Sequence, residues 1–545
     1  MRRLVLFSGI LFLAVPAGAA TYYFSDCQAG AEAACVPGDD AGAGTSPGDP
    51  WRSLARAAEI ANNLQAGDQI LFARGGTFSG ANIRFSNPFS LRDNPIVVAD
   101  YAPPWATASS GRPVMAGGPM FEFAGGEGYV VRNLDFRGTG TPGSFCLFAH
   151  NDLNTGTVAS DILLENLAMD GYDLAVFFGR EDELYRATLR NSTITNCTGM
   201  GFLGGGTGIL LENNVFDNNG DEPIFEHNVY VANATNFIVR DNDIHRAAMV
   251  DGECQGTSFV AHGRLSGVVI EGNVVREDLG AAGGGCYGIS VVVGGYPGVA
   301  EDFRGTVIRG NRVINVGARA IGVVSCPDCV IENNVIIQEQ PSVEGAIGII
   351  VPDREHDADD AADDNVTVRN NSIYFNNGQQ NIGIAVGGEG TSHVVVGNVV
   401  SIAGAAAGSS CLQLDLPPSS YEAVDNNLCR FADSAGGPWE LSRGFSLAQW
   451  QAASGLDAHS LEADPLYQSP GSPAFDLSVP AGSPVVDAGH PSLSPPTDIT
   501  GRARDASPDM GAYEFAGSGV AVPGAPTGLR IGSLLGALLC VKPLE

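Results

Sequence analysis

Residues 211–244 read LENNVFDNNGDEPIFEHNVYVANATNFIVRDNDI. The stretch opens and closes on one six-residue phrase: an aliphatic residue, a charge, Asn, Asp or Gly, usually Asn, a variable residue, then an apolar one. Between LENNVF (211–216) and VRDNDI (239–244) lies a second strand signal, Asn228-Val-Tyr-Val. The phrase recurs with starts at Val131, Leu164, Leu189, Leu211, Val239, Ile270, Ile308, Ile331, Val368, Val395 and Val424. Neighbouring copies lie as close as 22 and as far apart as 38 residues. A short minimum period with long exceptions predicts a solenoid coil of three short strands whose loops vary in length.

Two columns fix the register. The fourth position is Asn in eight consecutive copies: Asn214, Asn242, Asn273, Asn311, Asn334, Asn371, Asn398 and Asn427. Asn tolerates the left-handed backbone of a tight turn, and stacked amides bond from coil to coil, so this column reads as a turn ladder. The second position alternates in sign through Arg132, Glu165, Arg190, Glu212, Arg240, Glu271, Arg309, Glu332 and Arg369. Equivalent residues of stacked parallel strands lie about 4.8 Å apart, so each charge is expected between opposite ones. Residues 51–64 (WRSLARAAEIANNL) place Trp51, Leu54, Ala58, Ala61 and Leu64 on one helical stripe, an N-terminal plug for the open end.

Arg2 and Arg3, the apolar run to Val15 and the small residues 17–20 read as an export signal, with the mature chain starting near Thr21. The expected organisation is a leader over 1–20, cap and first coils over 21–125, repeats over 126–435, a C-terminal cap over 436–515 and a linker or tail over 516–545. A secreted, periplasmic or cell-surface location follows, and no apolar run is long enough for an integral membrane span. The net charge of −32 argues against nucleic acid as a partner. Lys542 is the only lysine. Eleven cysteines in an exported chain predict disulfides with at least one thiol left over. Cys27 with Cys35 and Cys411 with Cys429 are local staples. Cys326-Pro-Asp-Cys329 reads as a turn staple or buried thiols before it reads as redox chemistry. Oligomeric state leaves no signal.

The opening Tyr22-Tyr-Phe, GTSPGDPWRSL and AGDQILFARGGTF, with the closing ADPLY (463–467), GSPVVDAG (482–489) and DITGRARDASPDMGAYEF (498–515), resembles the superfamily of right-handed parallel β-helix proteins. That superfamily includes pectate and alginate lyases and polygalacturonases. The resemblance covers about residues 21–515. It implies an all-β right-handed parallel β-helix with an N-terminal helical cap, and a polysaccharide partner. Many such lyases use a Lys or Arg base; with lysine confined to the tail, a lysine base is excluded. Ala261-His262-Gly263 faintly echoes the Gly-His-Gly segment of polygalacturonases, and Asp251 with Glu253 offers paired carboxylates for hydrolysis.

The residue after each copy should point outward, giving the column Arg137, Asp170, Thr195, Asp217, His245, Arg276, then Ile314, Ile337, Tyr374 and Ser401. Asp217, His245 and Arg276 fall on consecutive coils. An acid beside an imidazole orients it for acid–base work, and a guanidinium pairs with a substrate carboxylate; the competing reading is one more charge ladder. His227, Tyr230 and His262 come from a preceding strand or loop of the same coils. Tyr230 and His262 are candidate acid and base for β-elimination from a uronic acid, where Arg acidifies the C–H beside the carboxylate. Asp243, Arg246 and Arg264 are candidate substrate contacts. Inserted loops are expected at about 276–287, 294–306 and 352–365, walling a groove. In the third, Asp357, Asp359 and Asp360 are candidate Ca²⁺ ligands, against a merely solvated acidic loop. The leading expectation is a uronate-polysaccharide lyase, with a non-catalytic glycan-binding surface or matrix protein and a polygalacturonase-like hydrolase as alternatives.

Overall fold

The computed structural model describes residues 18–294, 299–355, 357–404, 407–432 and 437–515. Nearly all of the leader, together with the tail, Lys542 and Cys540, lies outside the described residues. Each turn of the helix carries three strands. The first sheet stacks strands such as Ala159–Glu165, Leu184–Arg190, Leu210–Glu212 and Ile238–Arg240. The second stacks Ala168–Asp170, Thr193–Thr195, Val215–Asn219, Asp243–Ala247 and Val274–Arg276. The third stacks Phe145–His150, Leu174–Phe178, Met200–Thr207, His227–Thr235, Thr257–Ser266, Tyr287–Val291 and Arg319–Val323. All of these pair in parallel with the next coil. Only Met249–Val250 and Glu253–Cys254 form an antiparallel pair between named strands among the described residues.

The six-residue phrase assigns one job to each position. Its first residue, from Val131 to Val424, and its sixth, from Phe136 to Cys429, line the core with 3% exposure or less. Each fully buried side chain of this kind contributes about 1.5–3 kcal/mol. The second position forms the charge ladder, in the register read from the sequence. From Arg190 on, each arginine of the ladder reaches back to the glutamate of the preceding coil: Arg190 to Glu165 at 2.7 Å, Arg240 to Glu212, Arg309 to Glu271 at 2.6 Å, Arg369 to Glu332 at 2.7 Å.

The Asn column needs one correction. The left-handed residue is the third position, namely Asn133, Asn166, Asn191, Asn213, Asp241, Gly272, Gly310, Asn333, Asn370, Gly397 and Asn426. The fourth position instead points inward and is buried. Asn334 Nδ2 donates to Asn371 Oδ1 at 3.0 Å and to the Ile308 carbonyl at 2.9 Å. Its Oδ1 accepts from the Asn311 amide and side chain, both at 3.0 Å. The amides therefore satisfy backbone groups freed where the chain turns a corner, which an apolar residue there would leave orphaned.

Both ends are plugged. At the N-terminus the helix Leu54–Ile60 is capped by Ser53, whose hydroxyl accepts from the Arg56 amide. Trp51, Leu54, Ala61 and Leu64 enter the core as expected, and Ala57 is buried more fully than Ala58. At the other end, Trp439 and Trp450, the latter on the helix Leu447–Ser454, close the core. Their indole N–H groups both donate to Asp457 Oδ2, at 3.2 and 2.9 Å. The chain then folds back over the second sheet, covering Val335, Ile337 and Tyr374 with Leu477 and Ala512, and Val399 and Leu428 with Val479, Val485 and Met510. The apolar half of the outward column is thus a docking strip. Arg312 anchors the returning chain through Tyr513 Oη and the Phe475 carbonyl, at 2.9 and 2.6 Å.

Disulfides join Cys27 to Cys35, Cys411 to Cys429 and Cys326 to Cys329. A further one, Cys254 to Cys286, was not legible because its partners lie 32 residues apart on separate loops.

Candidate functional site

The corner between the first and second sheets takes two residues in each coil, from Asn133-Leu134 to Asn426-Asn427. Length variation therefore falls on the other two corners, which are the two borders of the third sheet. One border carries the connections 220–226, 248–256 and 277–286; the other carries 292–306 and 352–366. Long loops raised on both sides of a single sheet make that sheet the floor of a binding face.

The floor can be read in register. One outward row runs Phe148, Phe177, Leu203, Tyr230, Val260, Ser290 and Gly322. Beside it, His227, Thr257, Tyr287 and Arg319 occupy successive coils. His227 and Tyr230 rings lie 5.7 Å apart, and Tyr230 and His262 rings 5.2 Å apart. The sequence-predicted trio is therefore brought together. His262 Nδ1 bonds the Val292 carbonyl, and His227 Nδ1 bonds that of Thr257 at 3.2 Å. A carbonyl only accepts, so the proton sits on Nδ1 and leaves Nε2 as the basic nitrogen in both rings. Burial holds both imidazoles neutral, with the pKa pushed down to about 3 for His227 and about 4 for His262.

Five further neighbours stand outside that reading: Asp353 and Arg354 arrive on a loop, and Arg319, Phe148 and Phe177 lie on strands of the third sheet. Arg354 Nη1 donates to the Val293 carbonyl at 3.3 Å, beside the carbonyl that holds His262, and its charge also lowers the His262 pKa. Arg319 lies over the Tyr287 ring at 5.5 Å and donates to the Asp353 carbonyl at 3.0 Å. Asp353 fits because position 322 is glycine; a Cβ there would fall 2.5 Å from its Oδ2. The Phe148 and Phe177 rings stack at 4.7 Å further along the floor. The signal of the two rings is present in FCLFAH and AVFF, where a partly exposed Phe interrupts the buried residues of each strand.

Asp217, Asp243, His245, Arg246 and Arg276 belong to the second sheet. Asp217, His245 and Arg276 are consecutive neighbours, as the column predicted. Their charges are, however, already matched. Arg246 forks onto Asp217, with Nε to Oδ1 at 2.7 Å. Arg276 forks onto Asp243 at 3.1 and 3.2 Å. His245 is 8% exposed, with Nδ1 3.5 Å from Asp217 and Nε2 3.2 Å from Asp278. Nε2 is not aligned for a hydrogen bond there. Burial, then Arg276, lowers its pKa. A guanidinium held by two carboxylate oxygens has little left for a substrate, so this face has the form of the ladder alternative.

Arg264 lies beyond the left-handed Gly263 and lines a cavity of about 560 Å³ with Glu181, Asp302, Arg304 and Asp359. Asp360 is engaged by backbone, its Oδ1 accepting from the Glu301 amide at 2.8 Å and Oδ2 from the Asp357 amide at 2.9 Å. Among the described residues, Asp357, Asp359 and Asp360 do not gather into one ligand set. Asp251 and Glu253 stand exposed on the antiparallel hairpin at the border.

A family model for the right handed beta helix region matches residues 123–299. This chain is a right-handed parallel β-helix protein. Over 148 residues the β-helix is 29% identical to a lacto-N-biosidase of Bifidobacterium longum subsp. longum, covering 27% of this chain. It spans about 7% of the length of that curated relative. Among solved structures it is similar to pectate lyase Pel9A, at 14% identity over 92% of this chain and 98% of that one, with a TM-score of 0.36. It is also similar to the lacto-N-biosidase from Eubacterium ramulus, at 12% identity over 78% and 66%, TM-score 0.35. The tailspike of E. coli bacteriophage HK620, solved with a pentasaccharide, matches at 10% identity over 72% and 75%, TM-score 0.41. Among the described residues, no helix of the β-helix protein is long and apolar enough to cross a membrane.

Proposed function

We propose that this β-helix protein binds a polysaccharide along the outer face of its third sheet and cleaves it there by β-elimination. The observation that carries the reading is His262, a neutral imidazole tied through Nδ1 to Val292, within ring contact of Tyr230 and inside the field of Arg354. Arg354 neutralises a uronate carboxylate and acidifies the C–H beside it. His262 Nε2 takes that proton, a carbon–carbon double bond forms, and the glycosidic C–O bond breaks as the leaving oxygen receives the Tyr230 proton. The local likeness to a lacto-N-biosidase supports a carbohydrate partner.

One observation favours a second reading, hydrolysis. Glu122 and Asp152 both pair with Arg84 at the N-terminal end of the same face, and His150 Nε2 lies 3.0 Å from Glu122. Incubation with alginate, pectate and glycosaminoglycans, with and without Ca²⁺, separates the readings. Rising ultraviolet absorbance of an unsaturated uronate is the expected result. Reducing ends without it would transfer the chemistry to carboxylates, and silence in both would leave a glycan-binding surface protein. A Ca²⁺ requirement abolished by neutralising Asp357, Asp359 and Asp360 together would make that loop the metal site.

A further inference from the structure

Seven residues at the border of the third sheet, Gly220 to Glu226, put two large apolar side chains into water. Ile224 is 68% and Phe225 72% exposed. Exposing them forgoes burial that the adjacent floor could have offered. The tip is nevertheless held in place. Glu226 closes it by accepting from the Asp221 and Glu222 amides, at 2.5 and 2.7 Å. The Ile224 amide donates to the Gln255 carbonyl at 3.1 Å, next to the hairpin that the Cys254–Cys286 disulfide staples down. Ile224 itself sits at φ 73°, a left-handed backbone that β-branched residues rarely adopt. Such a conformation persists only where the surroundings impose it, and here it accompanies two side chains left exposed.

We propose that Ile224 and Phe225 form a platform for the apolar C–H face of a pyranose ring, as a subsite of the polysaccharide bound along the third sheet. The proposal rests on the function proposed above. Phe225 lies two residues before His227, so a ring seated on it is the neighbour of the ring presented to Tyr230 and His262. A sugar ring has an apolar face rimmed by hydroxyls, and the tip matches both parts. Phe225 and Ile224 supply the flat apolar contact, and the exposed Asp221 and Glu222 flank it with hydroxyl acceptors.

Affinity electrophoresis of the full chain through gels containing alginate, pectate or chondroitin sulfate tests the platform without requiring turnover. Phe225→Ala should weaken the retardation of the parent protein about tenfold in apparent affinity, the loss typical of a central aromatic contact. Phe225→Trp should retain it, and both variants should melt with the parent. Parent-like retardation of F225A would overturn the platform while leaving the proposed function standing. A parent that none of the gels retards would remove the proposed function, and the platform with it.

Discussion

The second and third sheets run through the same coils and each carries histidine, arginine and carboxylate on its outer face, yet they use them in opposite ways. Along the polar half of the second sheet the arginines have met their anions: Arg246 with Asp217, Arg276 with Asp243, Arg137 with Asp170. On the third, His227 and His262 are fixed by backbone carbonyls rather than by carboxylates, and the Tyr230 ring contacts both. Long loops border the third sheet on both sides, whereas the returning C-terminal chain covers half of the second. A charge ladder consumes the reactivity of its members; a tether through one ring nitrogen preserves that of the other.

The comparison is most easily broken at the two histidines. His262→Ala should lower turnover by roughly 100-fold or more, the scale of a lost general base. His245→Ala should leave turnover within a fewfold of the parent. The reverse result, measured on folded variants, would return the active site to the second sheet. The acid limb of turnover should lie near pH 4, since His262 stays neutral down to about that value.

Stability sharpens the same contrast between inward and outward ladders. Asn334→Ala orphans the Asn311 amide and the Ile308 carbonyl and should cost about 3 kcal/mol in urea unfolding. Glu277 gives a pH-dependent effect. Its carboxyl is buried beside the second-to-third corner, and burial pushes its pKa up to about 8 from the ordinary 4.5. The folded chain therefore holds a proton that the unfolded chain has released, so stability falls as pH rises from 4.5 to about 8. Glu277→Gln should flatten that slope, and an unchanged slope would place the charge elsewhere. Arg309→Gln, on an outward and half-exposed pair, should change stability by less than about 1 kcal/mol.

The coil register was fully legible, because a six-residue phrase states core, charge, turn and amide ladder at fixed positions. The role of the fourth Asn was misread because an Asn-Asn pair does not say which member takes the left-handed turn. Both faces could be listed from the sequence, and His227, Tyr230 and His262 do meet. What the phrase could not reveal was which charges were already spoken for. Arg246 reaches Asp217 from a left-handed backbone, and Asp278 and Arg354 arrive on loops outside any repeat.

The returning C-terminal segment has a consequence for the order of assembly. Its anchors are far upstream: Tyr513 meets Arg312 across 201 residues, Arg504 meets Asn333 across 171, and the Ala512 amide meets Ser372 across 140. Stacked coils need only their nearest neighbour, but this clasp has no binding strip until several coils are complete. It is therefore the last element to lock. A chain cut short before residue 463 would carry Ile337 and Tyr374 bare on its flank, an adhesive strip shared by every incomplete molecule.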